Sequence, residues 1–337
     1  MKNCGIIFTT PCMAELVSTE ITPPGAGEVQ IKLAVSTVSS GTERANLIGD
    51  PNVGWDIGPR VVFPRKTGYS SAGVVTALGE GITDLQIGDR VAMSWSLHSQ
   101  YINLKRKNVY KLPENVSFRD AAMFHIGIFP LAAIRKCRLE LGESAIVMGL
   151  GILGLAAVQL LKAAGAAPII AVDPIAEKRA KALACGADFA LDPFAPDFAQ
   201  TAKNLTDGGA KVGIEVTGVG AGLNGILDCM ASFGRVALLG CTRDKNFTVD
   251  YYRKVHAPGI TLIGAHTSAR PKQESHGGWW TQKDDMEALI RLHAMGRLHL
   301  GDLVDEVHSP ADAPQVYERL VQEQAFPVVQ FDWRKLK

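Results

Sequence analysis

The 337 residues are 47% apolar, enough to bury two cores, and 35 Lys and Arg stand against 34 Asp and Glu for a net charge of +1. A balance that even sets up no long-range field for a polyanion, which excludes nucleic acid and anionic membrane as general partners. The opening MKNCGIIFTTPCMAELV has no sustained apolar run, and no stretch of ~18 apolar residues follows, so the chain reads as soluble and cytoplasmic. Six dispersed cysteines (Cys4, Cys12, Cys137, Cys185, Cys229, Cys241) form no CxxC pair. Neither a zinc ribbon nor a dithiol motif can be drawn from them, and reduced thiols are expected.

In chain order, the first third is β-rich. Glu28–Val35 alternates for much of its length, as a half-buried strand does. Gly73-Val74-Val75 and Asp89–Ala92 continue in short strands, with turns at Gly79-Glu80-Gly81 and Gly88-Asp89. Near Ser117 the character changes. Ser144–Met148, Leu153–Ala164, Pro168–Val172 and Ala176–Cys185 alternate strand with helix, which implies right-handed crossovers and a parallel sheet. After Ala269 a polar loop, Arg270–Thr281, precedes helices at Lys283–Met295 and Ala311–Gln322 and a closing strand at Val328–Phe331.

Gly149-Leu150-Gly151-Ile152-Leu153-Gly154 follows an apolar strand and opens a helix, the context a dinucleotide-binding GxGxxG motif requires. Gly149 allows the tight turn, Gly151 lets the backbone approach a pyrophosphate, and Gly154 lets helix and strand pack closely. The helix start at Ile152 and Leu153 offers unpaired N–H groups to phosphate. Asp173 falls 19 residues after Gly154, the spacing of a carboxylate that binds the adenosine ribose and repels a 2′-phosphate. NAD(H) is therefore favoured over NADP(H), although Lys178 and Arg179 lie close enough to meet a phosphate.

With this motif, Ser40-Gly41-Thr42-Glu43, Gly68–Val75, Gly88-Asp89-Arg90-Val91 and Glu215-Val216-Thr217-Gly218 resemble the medium-chain dehydrogenase/reductase superfamily, the group of zinc alcohol dehydrogenases and quinone reductases. Ser39–Glu43 is similar to its SSGTE type, which includes bacteriochlorophyllide dehydrogenases. The resemblance covers nearly the whole chain. It implies an α/β protein: a GroES-like β-rich catalytic domain over 1–117, a Rossmann doubly wound parallel sheet over 118–269, and a return segment, 270–337, completing the Rossmann edge and the catalytic domain. It also implies a homodimer or homotetramer. Zinc members carry Cys-Gly-Thr-Asp where this chain has Ser40-Gly41-Thr42-Glu43, and Gly-His-Glu where it has Gly68-Tyr69-Ser70. Their third ligand falls near Phe124. Serine, tyrosine and phenylalanine are no zinc set, and the Cys-rich structural-zinc lobe has no counterpart, so no metal is expected.

Without zinc to polarise the carbonyl, side chains must move the proton. The resemblance places Thr42 at the family's proton-relay hydroxyl, against a locally bonded turn threonine. Tyr69 stands at a former ligand position, either donating to a carbonyl oxygen or filling vacated space. Glu43 matches a carboxylate behind a ligand histidine, and either orients Tyr69, binds substrate hydroxyls or forms a structural ion pair. His266, in Gly264-Ala265-His266-Thr267, is a general acid/base candidate or a substrate hydrogen-bonding group. Ser40, Trp95 and His125 fall in the substrate pocket. Thr217, Gly240, Cys241 and Ala265 are expected at the cofactor, with Cys241 contributing backbone. Trp279 and Trp280 either cap the cleft, stack on a sugar ring or serve an interface. The expected reaction is interconversion of a polar or polyhydroxylated alcohol and its ketone or aldehyde. An NADPH-dependent quinone or enone reductase is the alternative enzyme, and a non-catalytic nucleotide sensor the alternative of another class.

Overall fold

Residues 1–50, 61–242 and 246–336 are described in the computed structural model. They fall into two units, Met1–Ile126 with Met286–Lys337, and Gly127–Asp285. The six cysteines are free thiols. Among the described residues no helix is long and apolar enough to cross a membrane.

The first unit is built on Glu28–Thr37, a strand rich in Val, Ile and Leu. It pairs with Ser70–Leu78, Tyr101–Lys105 and Val329–Asp332. With partners along both sides it is buried almost throughout, leaving only Lys32 exposed, so the expected half-buried alternation does not hold. A hairpin of Lys2–Thr10 and Met13–Glu20 supplies Ile6 and Phe8 to the same core as Ile31, Leu33, Tyr317, Phe331 and Trp333. The last three come from the returning end of the chain, on Ala313–Gln322, Val329–Asp332 and the turn after it.

In the second unit, six parallel strands are described. In chain order they are Ala145–Met148, Ile169–Val172, Phe189–Leu191, Ala210–Glu215, Met230–Leu238 and Thr261–Gly264. Across the sheet they lie 3-2-1-4-5-6, the dinucleotide-binding order. The short apolar runs Ala145–Met148 and Ile169–Val172 are fully buried, as strands of a parallel sheet are. Helices Ile152–Ala164 and Ala176–Cys185 end at Gly165 and Gly186, whose φ values of +85° and +111° reverse the chain.

Two boundaries differ from expectation. The first unit continues past 117 because the carbonyl of Ala122 accepts hydrogen bonds from Thr37 Oγ1 (2.9 Å) and Ser70 Oγ (2.7 Å). The return starts at Met286 rather than 270 because the 270–285 stretch is held by Asp285, which Arg135 binds at 2.9 Å and Arg270 at 3.6 Å. Nor does the return complete the Rossmann edge. That edge is Thr261–Gly264, and the late strands Glu306–His308 and Val329–Asp332 join the first unit's sheet.

Arg319 ties the helix Ala313–Gln322 to the strand Glu306–His308 through both oxygens of Glu306, at 2.8 and 3.0 Å. Its hydrogen bonds hold the Glu306 carboxyl down at about 2, against an ordinary 4.5. A carboxylate depressed by folding adds stability that is present above its unfolded pKa and lost as pH falls through the folded one. Arg319→Met should therefore lower the denaturation midpoint at pH 7, and the gap to wild type should close between about pH 4.5 and 2. Urea titrations across that range would refute the assignment if the gap persisted at pH 2.

Candidate active site

In the first unit, Ser39-Ser40-Gly41-Thr42-Glu43 is not a turn. It enters a helix, Ser40–Leu47, which points alternate residues in different directions. Thr42 is exposed, and its carbonyl accepts from Asn46 Nδ2 at 2.7 Å. Ser40, expected in the pocket, is half-buried at the helix start. The preceding residue, Ser39, is the one whose hydroxyl shares a short hydrogen bond with Tyr69 Oη. Tyr69 also meets the ring of His125 edge-on, with centroids 5.6 Å apart. Trp95 packs on the same His125 at 4.6 Å and lies 6.2 Å from Tyr69. A backbone φ of +58° at Trp95 is an unusual conformation for a bulky residue. It leaves the indole 46% exposed while His125 is sealed beneath it. The structure thus brings Tyr69, Trp95 and His125 together, with His125 buried beneath the other two rather than openly lining a pocket.

For Glu43 the substrate-hydroxyl reading fails, whereas a structural partner is present, His98 Nε2 at 3.1 Å. Glu43 neither meets solvent nor takes a place where substrate hydroxyls reach it, being 1% exposed. Its oxygens accept from the Ser39 N–H (2.8 Å), Thr67 Oγ1 (3.1 Å), His98 Nε2 (3.1 Å) and Tyr317 Oη. Burial alone would raise its pKa, but the charge and hydrogen bond of His98, with the other donors, bring it below the ordinary value. Tyr317 is pushed well above 10 by burial and by the Glu43 charge. This carboxylate stays ionised and takes no proton in a reaction near neutrality.

The donors at the positions of the family's metal ligands do not fit zinc. Ser40 offers a hydroxyl, Tyr69 a phenol already bonded to Ser39, and the third position is Phe124, packed against His293 at 4.8 Å. Among the described residues no group of three or more His, Cys, Asp or Glu side chains is placed to hold a metal ion.

In the second unit, parallel register aligns Met148 with Val172 and Glu215, Glu215 with Leu238, and Leu238 with Gly264. The residues that follow, Gly149, Asp173, Val216, Leu239 and Ala265, therefore lie along one carboxyl edge, where doubly wound sheets bind ligands. Gly149 turns with φ +98°. A Cβ at Gly154 would lie 1.9 Å from the Gly149 carbonyl, whereas one at Gly151 would meet only open space. The first intrahelical bond runs from the Leu155 N–H to the Gly151 carbonyl, so the N–H groups of Ile152, Leu153 and Gly154 precede the ladder. This cradle fits a pyrophosphate. Asp173, 6% exposed, accepts from the Leu150 and Ile175 N–H groups at 2.8 and 2.9 Å, one on each oxygen. Each oxygen keeps a lone pair for a ribose hydroxyl. Arg179 is engaged by the Asp173 carbonyl (2.6 Å) and Asp192 (3.3 Å), while Lys178 is half-buried.

Glu215, which the motif reading passed over as a family match, is buried. It accepts from the N–H groups of Thr217 and Gly218 and from Thr217 Oγ1. Burial raises its pKa. It shapes the turn that carries exposed Thr217 beside Gly240, where a Cβ would come 2.4 Å from the Gly218 nitrogen. Cys241 is exposed, and Ala265 is fixed by its N–H to the Leu238 carbonyl. Nδ1 of His266 lies 2.6 Å from Ser268 Oγ and accepts the Ser268 N–H at 3.3 Å. Trp279 and Trp280 are bound inside this unit. Lys136 Nζ lies 4.5 Å over the Trp279 ring, and the Arg135 guanidinium 3.4 Å over Trp280. Lys136 also donates to the Gly264 carbonyl at 3.1 Å, and burial lowers its pKa to about 8. The Trp pair thus anchors the loop beside His266.

Sequence reasoning missed Ser39, His98 and Tyr317. His98 sits in a stretch searched only for cysteines, and Tyr317 reads as an ordinary core position of an amphipathic helix.

Residues 25–128 match the alcohol dehydrogenase GroES-like domain, and residues 153–277 match the zinc-binding dehydrogenase family. D-guloside 3-dehydrogenase from Escherichia coli (strain K12) is 28% identical, over 94% of this chain and 96% of its own. L-threonine 3-dehydrogenase from Pyrococcus horikoshii is 26% identical, over 92% and 93%. The crystal structure of benzyl alcohol dehydrogenase from Acinetobacter calcoaceticus shares the fold, with a TM-score of 0.84 and 19% identity over 98% of this chain and 99% of that one.

Gly154→Ala tests the cradle. The added methyl overlaps a backbone carbonyl that only a loop shift can clear, so stability should fall by about 1–3 kcal/mol. NADH affinity should fall with it, by about tenfold or more. Fluorescence titration showing unchanged NADH binding would mean that this loop does not hold the phosphates.

Proposed function

Because the chain belongs to the zinc-type alcohol dehydrogenase-like medium-chain dehydrogenase/reductase superfamily, and is an oxidoreductase of that kind, we propose that it interconverts a secondary alcohol of a polyhydroxylated, sugar-like substrate and the corresponding ketone, using NAD(H) and no catalytic zinc. The observation that carries this reading is the Ser39–Tyr69 hydroxyl pair, where a phenol stands in place of a ligand histidine.

A nicotinamide dinucleotide held by the Gly149–Gly154 cradle and Asp173 would supply or accept the hydride at the carbinol carbon. In the reducing direction the carbonyl carbon gains that hydride and its oxygen takes the proton of Tyr69 Oη–H. The phenolate left behind is stabilised by the Ser39 hydroxyl and then reprotonated from water. Oxidation runs the same steps backwards, from the phenolate. General acid catalysis of this kind is worth about 10²–10⁴-fold. His125, edge-on to Tyr69, holds the phenol's ring in place.

Support for the substrate class comes from the exposed hydroxyl of Thr42 and the half-exposed indole of Trp95, which suit a ring carrying several hydroxyls. The relationship to D-guloside 3-dehydrogenase points the same way. Asp173 at the end of the second Rossmann strand, with Arg179 tied to Asp192, supports NAD over NADP.

Nicotinamide absorbance should be followed with NAD across polyols, glycosides and simple alcohols, with and without a chelator. Turnover on polyhydroxylated substrates should survive chelation, and Tyr69→Phe should lower kcat by about 10²-fold or more. Activity that disappears with the chelator, or survives the loss of the phenol, would overturn the reading. Separately, Asp173→Ala should narrow the NADH/NADPH affinity ratio. A ratio left unchanged in binding titrations would remove Asp173 from cofactor choice.

A further inference from the structure

Tyr69 is held at both ends by groups that meet on one buried carboxylate. At its hydroxyl end, Ser39 shares the hydrogen bond with Oη, and the Ser39 backbone N–H is fixed on Glu43 Oε1 at 2.8 Å. At its backbone end, Thr67 donates to Glu43 Oε2 at 3.1 Å, and the Thr67 carbonyl accepts the His98 N–H at 2.8 Å. Gly68, between them, has φ +93°, and a Cβ there would come 2.7 Å from the His98 nitrogen and 2.8 Å from its ring. The loop before Tyr69 therefore lies flat against His98.

His98 is itself fixed on both nitrogens. Nε2 bonds Glu43, while Nδ1 lies 2.7 Å from Ser36 Oγ, which also accepts Trp333 Nε1–H at 2.9 Å. Tyr317 completes the donor set of Glu43 from the helix Ala313–Gln322. Two of these anchors, Tyr317 and Trp333, thus come from the last fifty residues of the chain, far in sequence from Tyr69.

We infer that Glu43, His98 and Tyr317 are positioning residues that set the Tyr69 hydroxyl for proton transfer, so that the C-terminal segment governs turnover as well as folding. The inference rests on the reading of Tyr69 as the proton donor. A carboxylate with four good donors has one low-energy placement, and both the Ser39 and the Thr67–Gly68 backbones are referenced to it. A shift of about 1 Å in a reacting group costs up to about 10²-fold in rate. Losing one donor should therefore register in kcat before it registers in the fold.

The test is a double-mutant cycle of Tyr317→Phe and Tyr69→Phe. Phenylalanine preserves the packing of Tyr317 against Phe8 and Phe331. Tyr317→Phe should lower kcat by about tenfold with a larger solvent isotope effect, while KM and NADH affinity stay within about twofold. In the Tyr69→Phe background the same change should alter kcat by less than about twofold. Equal losses in both backgrounds, or full kcat in Tyr317→Phe, would overturn the positioning role. If Tyr317→Phe is too unstable to assay, Glu43→Gln goes through the same cycle with the same criteria. Wild-type turnover in Tyr69→Phe alone would fail the underlying proton-donor reading, and this inference with it.

Discussion

A carboxylate removed from water has to be given hydrogen bonds for its charge to persist, and in this protein that requirement organises the catalytic unit. Glu43 draws one donor each from the helix entrance at Ser39, the Thr67 turn, the His98 loop and the returning helix that carries Tyr317. An isolated ionised carboxylate at this depth would shift its pKa and neutralise. The four donors keep it charged, and each segment that supplies one is fixed relative to the other three. Removing one donor leaves the charge three others, so the loss falls first on the placement of the carboxylate and of the segments it joins. The geometry around Tyr69 is therefore coupled to the integrity of the fold.

The nucleotide unit reaches the same rigidity by a different route. Its strands end in register, so five consecutive carboxyl ends deliver Gly149, Asp173, Val216, Leu239 and Ala265 along one edge without long-range side-chain contacts. Adjustments come from buried ionisable groups one step behind that edge. Glu215 shapes the Thr217–Gly218 turn, and Lys136 holds the carbonyl of Gly264 beside His266. The Lys136 ammonium sits among Arg270, Asp285 and the Trp279 ring, so the price of burying it is only partly offset and its pKa drops.

That contrast explains what could be read from the sequence. The parallel strands, the glycine cradle and the carboxylate that ends the second strand depend on local periodicity and fixed spacing, and each was legible. The catalytic unit depends on partners distant in sequence. Ser40 and Ser39 are indistinguishable by composition, and only the helix starting at Ser40 decides which hydroxyl meets Tyr69. Nothing local decides among the readings of Glu43, because Tyr317, which occupies it, lies 274 residues later. The Trp279–Trp280 pair stays open between a cap, a sugar-stacking platform and an interface, because nothing local announces that Arg135 and Lys136 will cover the two rings. The unit boundaries moved for a similar reason, since Asp285 follows Arg135 and Arg270 rather than the composition change near residue 270.

A bound zinc fixes its own geometry, because coordination bonds of about 2.0–2.3 Å leave ligands and substrate oxygen little freedom. A phenol at a ligand position has no such constraint: the side chain rotates, and one hydrogen bond to serine is worth only about 1 kcal/mol net. The precision a metal imposes must then come from packing and from the surrounding hydrogen bonds. In this chain Gly68 is pressed onto His98 and the Ser39 N–H is pinned to Glu43, so Tyr69 is confined at backbone and hydroxyl together. The family's acidic residue next to the metal has an obvious use when a ligand histidine is present to be oriented. Here the carboxylate has been kept while that histidine is absent, and its donors now come from the walls of the site. A vestigial carboxylate would have been cheaper to replace by an apolar residue; one that orders both ends of the proposed proton donor has a physical reason to remain.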